Sequence, residues 1–148
     1  MLKGIPTVLS PKLLAALCAM GHGDEIVLAD GNFPAESQNV PVIRCDGHGV
    51  PELLKAILLL LPLDSYVSQP LALMKVIDGD TYKPEIWDEY ISIFAQNGLE
   101  SDKIEYIERY AFYERAKKSV AIVATSELSQ YANVILKKGI VKPGDLPE

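Results

Sequence analysis

One alternation constrains this chain more than any other feature of it. Short, nearly unbroken apolar runs take turns with amphipathic segments, three of which open on a proline. Asp24–Asp30 (DEIVLAD), Val40–Gly47 (VPVIRCDG), Gln69–Ile77 (QPLALMKVI), Lys103–Arg109 (KIEYIER), Val120–Thr125 (VAIVAT) and Asn133–Gly139 (NVILKKG) read as strands. Runs of this kind suit a sheet covered on both faces. The first helix follows Ser10, with Pro11 in its first turn, Leu13, Leu14, Leu17 and Met20 on one face, and Gly21 as its stop. Gly49–Leu63 is a second, opened by Pro51 and ended by Pro62. Lys83–Gly98 is a third, with Ile86, Tyr90, Ile93 and Phe94 in a stripe, and Tyr110–Ser119 a short fourth. The pattern predicts an α/β fold: a single three-layer domain spanning 1–148, with a mostly parallel sheet flanked by helices. Residues 1–9 and 140–148 are expected to be peripheral, and the polar tail from Val141 to frayed.

Bulk properties narrow the partners. The formal net charge of −6 and pI near 4.9 disfavour nucleic acid or an anionic membrane, both of which call for a basic face. The longest apolar run, Ala56–Pro62, is far short of the roughly 20 residues a membrane helix needs. Lys3, Pro6 and Pro11 leave no room for the apolar core of a secretion signal, so the expected location is the cytoplasm. Cys18 and Cys45 lack metal-ligand spacing and read as buried, reduced thiols.

Several polar residues stand at element junctions. His22 lies between Gly21 and Gly23, just ahead of the first strand. A lone histidine is often structural, but flanking glycines allow a sharp turn and a close ligand approach. An imidazole also titrates near neutrality, as proton transfer requires. Asp30 closes the strand and precedes Gly31. Ligands of open α/β sheets collect beyond the carboxyl ends of strands; the alternative is an Asx turn within DGNFP. Asp24 and Glu25 read as solvated loop charges. His48, in CDGHG, is a helix-start residue or a ligand contact. Arg109 stands at a strand-to-helix turn amid Tyr106, Tyr110 and Tyr113. Its guanidinium can grip ligand oxygens or pair with Glu105, Glu108 or Glu114. Arg115 and the lysines after it read as a solvated helix end. Tyr131 and Asn133 precede the last strand and offer hydrogen bonds to hydroxyls, Tyr131 also a ring face for a sugar. The KKG that follows lacks the glycine-rich approach of a phosphate loop. His22, Asp24 and Asp30 are too spread along an extended segment to suggest a metal site.

Four stretches together, LSPKLLAALCAMGHGDEIVLADGNFPA, VIRCDG, RYAFYERAKKSVAIVATSE and YANVILKKG, resemble the RbsD/FucU family of sugar mutarotases. The resemblance spans about Ser10 to Gly139. It implies an isomerase that interconverts the α and β anomers of a monosaccharide, with no cofactor and no metal. It also implies a homo-oligomer, commonly a decameric ring. Arg109 and the adjoining YAFYERA favour the branch acting on L-fucose, since the ribose branch resembles itself in carrying histidine there; ribose or related pyranoses stay open as substrates. Carried onto this chain, the family's proton-donating histidine falls on His22. Its substrate-binding residues fall on Asp30, Arg109, Tyr131 and Asn133. The roles of His48 and Tyr113 stay open.

Chain geometry adds one expectation. His22 and Asp30 are eight residues apart, up to about 26 Å if the run between them is extended at about 3.3 Å per residue. One sugar cannot touch both from one subunit. The expected site is therefore composite, with Asp30, Arg109, Tyr131 and Asn133 from one subunit and His22 from its neighbour. Two further readings are a non-catalytic monosaccharide-binding module using the same pocket, and a metal-dependent hydrolase built on His22 and nearby acids.

Overall fold

A computed structural model describes residues 2–146. Glu25–Ala29 (β1), Val42–Cys45 (β2), Leu71–Met74 (β3), Ile104–Ile107 (β4), Ala121–Thr125 (β5) and Val134–Lys137 (β6) form one sheet, in the spatial order β2-β5-β1-β6-β3-β4. The ladders β1–β5, β2–β5 and β3–β4 are parallel, while β6 pairs antiparallel with both β1 and β3. Five strands thus point one way. The expected mostly parallel sheet holds, with one reversed strand at its centre.

Pleating sorts each strand onto two cores. Ile26 and Leu28, Leu71 and Leu73, Ala121 and Val123, and Val134 and Leu136 face a large core. The helices Pro11–Ala19 (α1), Val50–Leu58 (α2) and Ile86–Gln96 (α3) contribute Leu13, Leu17, Leu53, Leu54, Ile57, Tyr90 and Phe94 to it. The alternate residues Val27, Ala29, Ala72, Met74, Ile122, Ala124 and Ile135 face a smaller core closed by Phe33 and by Phe112 and Ala116 of Arg109–Ala116 (α4). Period-two alternation explains why the runs of β1, β3, β5 and β6 are apolar on both sides, while the edge strands β2 and β4 expose Arg44 and Tyr106.

The helix ends follow their capping chemistry. Ser10 accepts from the Leu13 N–H at 3.2 Å, and Glu108 accepts from Tyr110 and Ala111 at 2.9 and 3.2 Å. The Glu108 cap draws Arg109 into α4 as its first residue instead of leaving it at the strand end. α2 stops at Leu58, five residues before Leu63, because Leu60 and Leu61 both turn back to the Ile57 carbonyl ahead of Pro62. The tail also differs from expectation. Pro143–Asp145 forms a 3-10 turn held by the Lys142 N–H on Asp145 at 2.7 Å, while Pro147 and Glu148 lie outside the described residues.

Three smaller expectations are corrected. Glu25 lies within β1 and is bound bidentately by Arg115, with Nη2 at 2.7 Å and Nε at 2.9 Å. Arg115 also reaches Glu105 at 2.9 Å, so it ties α4 to β1 and β4 and is not a solvated helix end. Cys18 is exposed, since it points away from the α1 face that Leu13 and Leu17 bury; Cys45 is buried, and both thiols are free. No helix is long and apolar enough to cross a membrane among the described residues.

Candidate active site

The reversed strand decides where the polar residues meet. Asp30 follows β1, Arg109 lies two residues beyond β4 and Met74 ends β3, so all three lie at the carboxyl edge of the parallel strands. Because β6 runs the other way, Tyr131 and Asn133, which precede it, arrive at that same edge. Had β6 been parallel, they would stand at the far end of the sheet. Asp30, Arg109, Tyr131 and Asn133 line one cavity of about 280 Å³, together with Asn32, Phe33, Met74, Ile77, Tyr113 and Gln130. That volume suits one small ligand. A larger hollow of about 660 Å³ lies elsewhere, by Pro6, Pro51, Lys55 and Leu59. Its lysine is already engaged by Glu89 at 3.3 Å, and it gathers no comparable set of polar side chains.

Asp30 and Asn133 hold each other at the cavity floor. The Asp30 N–H donates to Asn133 Oδ1 at 2.8 Å, and Asn133 Nδ2 donates to Asp30 Oδ2 at 3.0 Å. The pairing fixes which way the Asn133 amide points and leaves its second Nδ2 proton for a ligand. Asp30 Oδ1 accepts the Asn32 N–H at 2.9 Å, so the Asx turn forms as well, and the turn and the pocket role coexist. Burial pushes the Asp30 carboxyl above its ordinary value, opposed by hydrogen bonds from the Asn32 and Phe33 N–H groups and from Asn133.

Arg109 makes none of the carboxylate pairs weighed for it among the described residues. Its Nε donates to Tyr113 Oη at 3.0 Å, and its guanidinium lies 5.6 and 5.5 Å from the Tyr110 and Tyr113 ring centres. Tyr113 in turn meets Phe33 edge-on at 5.5 Å. The guanidinium is held by its Nε and by two ring faces, which leaves Nη1 and Nη2 as donors.

Tyr131 sits at φ +57, a left-handed backbone that a tyrosine adopts only when its surroundings insist. The constraints are visible: Trp87 Nε1 donates to the Tyr131 carbonyl at 2.8 Å, and Tyr90 Oη donates to the Ala132 carbonyl at 2.7 Å. The Tyr131 hydroxyl donates to Asp80 Oδ2 at 2.7 Å.

His22 is not in this cavity. It occupies the tip of a turn in which the Asp24 N–H reaches the Gly21 carbonyl at 3.2 Å and Gly23 adopts φ +84. Asp24 also accepts the Gly21 N–H at 2.7 Å, so it stabilises the turn and is not merely solvated. Type II turns need a left-handed third residue, which accounts for Gly23. The five residues of β1 alone place about 16 Å between this turn and Asp30. His22 Nε2 lies 3.0 Å from Oδ1 of the buried Asp64. The Tyr66 N–H, at 2.9 Å, and the histidine hold the Asp64 carboxyl below its ordinary value. The ionised carboxylate only accepts, so the ring proton resides on Nε2, and Nδ1 is left without a hydrogen-bond partner among the described residues. His48 stays apart from both clusters; its Nδ1 pairs with Glu52 at 2.9 Å on the first turn of α2.

Sequence reasoning missed Asp64 and Asp80. Each contacts a residue it did single out, but across 42 and 51 positions respectively. Neither sits in a motif, and only the fold brings the partners together. No group of three or more potential metal-ligating side chains occurs among the described residues.

Fold and cavity define an α/β protein with a small pocket, rich in hydrogen-bonding side chains, at the carboxyl edge of a mixed sheet. The chain belongs to the family described as the RbsD / FucU transport protein family, whose profile matches residues 3–141. It is 53% identical to the human fucose mutarotase over 146 residues, covering 95% of this chain and 94% of that protein. It is 48% identical over 140 residues to the L-fucose mutarotase of Actinobacillus pleuropneumoniae serotype 5b (strain L20), covering 95% and 97%. The crystal structure of a fucose mutarotase in complex with L-fucose from Streptococcus pneumoniae superposes with a TM-score of 0.92 at 53% identity, covering 95% of this chain and all of that one.

Proposed function

We propose that this chain is a mutarotase that interconverts the α and β anomers of L-fucose, with related pyranoses such as ribose as lesser candidates. The observation that carries the reading is the convergence of Asp30, Arg109, Tyr131 and Asn133 on one sugar-sized cavity, in a chain about half identical to fucose mutarotases along nearly its whole length. In this reading those four residues hold the sugar through its hydroxyls. A site that hydrogen-bonds hydroxyls discriminates strongly against sugars that lack them.

The chemistry is proton transfer at a hemiacetal. The anomeric hydroxyl loses its proton as the C1 carbonyl forms, the bond from C1 to the ring oxygen breaks, and the ring oxygen gains a proton. The aldehyde turns about C1–C2 and closes on its other face by the reverse steps. His22 is the proposed proton donor, acting through Nδ1 while Asp64 holds Nε2 and stabilises the charged ring. His22 cannot reach the cavity of its own chain, so the proposal assigns that cavity the His22 of the partner subunit. Two surface features support such an interface. His22 retains 44% of its side-chain exposure, and the Tyr66 ring stands 5.4 Å from it while 71% exposed. An aromatic left in water beside an imidazole suits burial against another copy. A closed ring, with ten subunits as the family resemblance suggests, satisfies every such interface. The cytoplasmic setting belongs to the same proposal and is supported by the two free thiols.

Exchange NMR tests the activity. Saturating one anomeric proton of L-fucose should reduce the other anomer's signal when protein is present, and His22→Ala should lower the exchange rate by about 10²–10⁴-fold. Binding of L-fucose without any acceleration would instead establish a non-catalytic sugar-binding module, and loss of activity on chelation a metal-dependent enzyme.

A further inference from the structure

Tyr131 is held by a residue outside the pocket wall. Asp80 belongs to the exposed connection between β3 and α3. Its Oδ1 accepts the Tyr82 N–H at 2.8 Å, and its Oδ2 receives the Tyr131 hydroxyl at 2.7 Å. The Tyr82 ring lies 6.1 Å from the Tyr131 ring, so the connection grips the tyrosine at two points. A carboxylate has acceptors only, so in this pair the phenol must be the donor.

We infer that Asp80 is a positioning residue that turns the Tyr131 proton away from the pocket, so that the phenol oxygen meets the sugar as a hydrogen-bond acceptor. The inference rests on the mutarotase reading and deepens it, since it assigns the polarity of one sugar contact. With the proton committed to Asp80, the Tyr131 oxygen can take a hydrogen bond from a sugar hydroxyl but cannot give one. Asn133, with a spare Nδ2 proton, and Arg109, with its Nη groups, then supply the donors. The Tyr131–Asp80 bond holds the phenol above its ordinary value and the carboxyl below its own. The Ile77 N–H and the Arg109 charge act on the phenol in the opposite sense.

The decisive substitution is Asp80→Asn. Its amide oxygen can still accept the Tyr82 N–H, so the loop turn survives. Its NH2 would face the phenol oxygen and donate to it, sending the Tyr131 proton into the pocket and reversing the contact. Exchange NMR on L-fucose would be run on the wild type, Asp80→Asn, Tyr131→Phe and the double variant. Alongside, the Tyr131 titration would be followed by 13Cζ-tyrosine labelling. The expected result is a kcat/KM loss of about tenfold for Asp80→Asn, the scale of one charged hydrogen bond. No further loss is expected when Asp80→Asn is added to Tyr131→Phe, because no hydroxyl proton is left to orient. The Tyr131 titration should move down in Asp80→Asn. Full additivity of the two substitutions would mean that Asp80 serves only the loop, and would overturn the inference, as would unchanged kcat/KM in Asp80→Asn. A wild type that never accelerates exchange would bring down the mutarotase reading itself, and the inference with it.

Discussion

Four of the five residues singled out in the sequence stand together in one cavity, for a chemical reason. Asp30, Arg109, Tyr131 and Asn133 all flank strand ends, and strand ends of one sheet edge converge in space. Their support was not legible. The partner of His22 is Asp64, behind a proline-ended helix, and the partner of Tyr131 is Asp80, in a loop with no patterning. Glu25 looked solvated because it sits before an apolar run, yet Arg115 and Lys137 enclose it. Such pairs are set by tertiary approach, and spacing along the chain does not encode them. Asp64 gives the residue-scale prediction. Its native pKa is depressed, so its ionised form adds stability above the unfolded value of 3.8 that disappears as pH falls through the native value. Asp64→Asn should melt below the wild type at pH 7, and the gap should close as pH drops under 3.8. A gap that stays constant down to pH 2 would contradict this account of the carboxylate.

Elements were more legible than contacts, since capping and period-two patterning act locally. All six strands and four helices lie where Ser10, the prolines and the apolar runs place them, with ends moved by a few residues. Strand direction was not legible, because an apolar run reads alike in both orientations, and β6 turned out reversed. That reversal has a second consequence at the opposite edge. Beyond β6, the Gly139 N–H bonds the Pro62 carbonyl at 2.8 Å and the Asp64 N–H bonds the Lys137 carbonyl at 3.0 Å, so the β6 end carries the segment that presents Asp64 to His22. A methyl group on Gly139 would meet the Leu63 carbonyl oxygen and lie only 2.7 Å from the Leu63 carbonyl carbon. Backbone cannot swing aside as a side chain can. Gly139→Ala should therefore cost about 2 kcal/mol by overpacking, and should slow exchange by displacing Asp64. Gly144→Ala, with nothing within 4 Å, serves as the control. Equal thermal stability of the two variants would show that the approach at Gly139 imposes no constraint.

At the scale of the molecule, one chain holds two polar clusters at opposite edges of one sheet, which the proposed function reads as the halves of a composite site. The cavity end gathers hydrogen-bond acceptors and donors, and the turn end has an imidazole backed by a buried carboxylate. β1 keeps them about 16 Å or more apart within the chain. This separation was legible, because it follows from strand rise and residue count alone. The number of subunits in the proposed ring was not, since closure depends on the angle between two surfaces.

The most direct measurement is complementation. His22→Ala and Arg109→Ala, each impaired alone, are unfolded together, refolded as a mixture and assayed for α/β exchange of L-fucose. Composite sites predict recovery to about a quarter of wild-type turnover, the share of sites that random assembly leaves with both halves intact. A mixture no more active than the mean of the two separate variants would contradict the account.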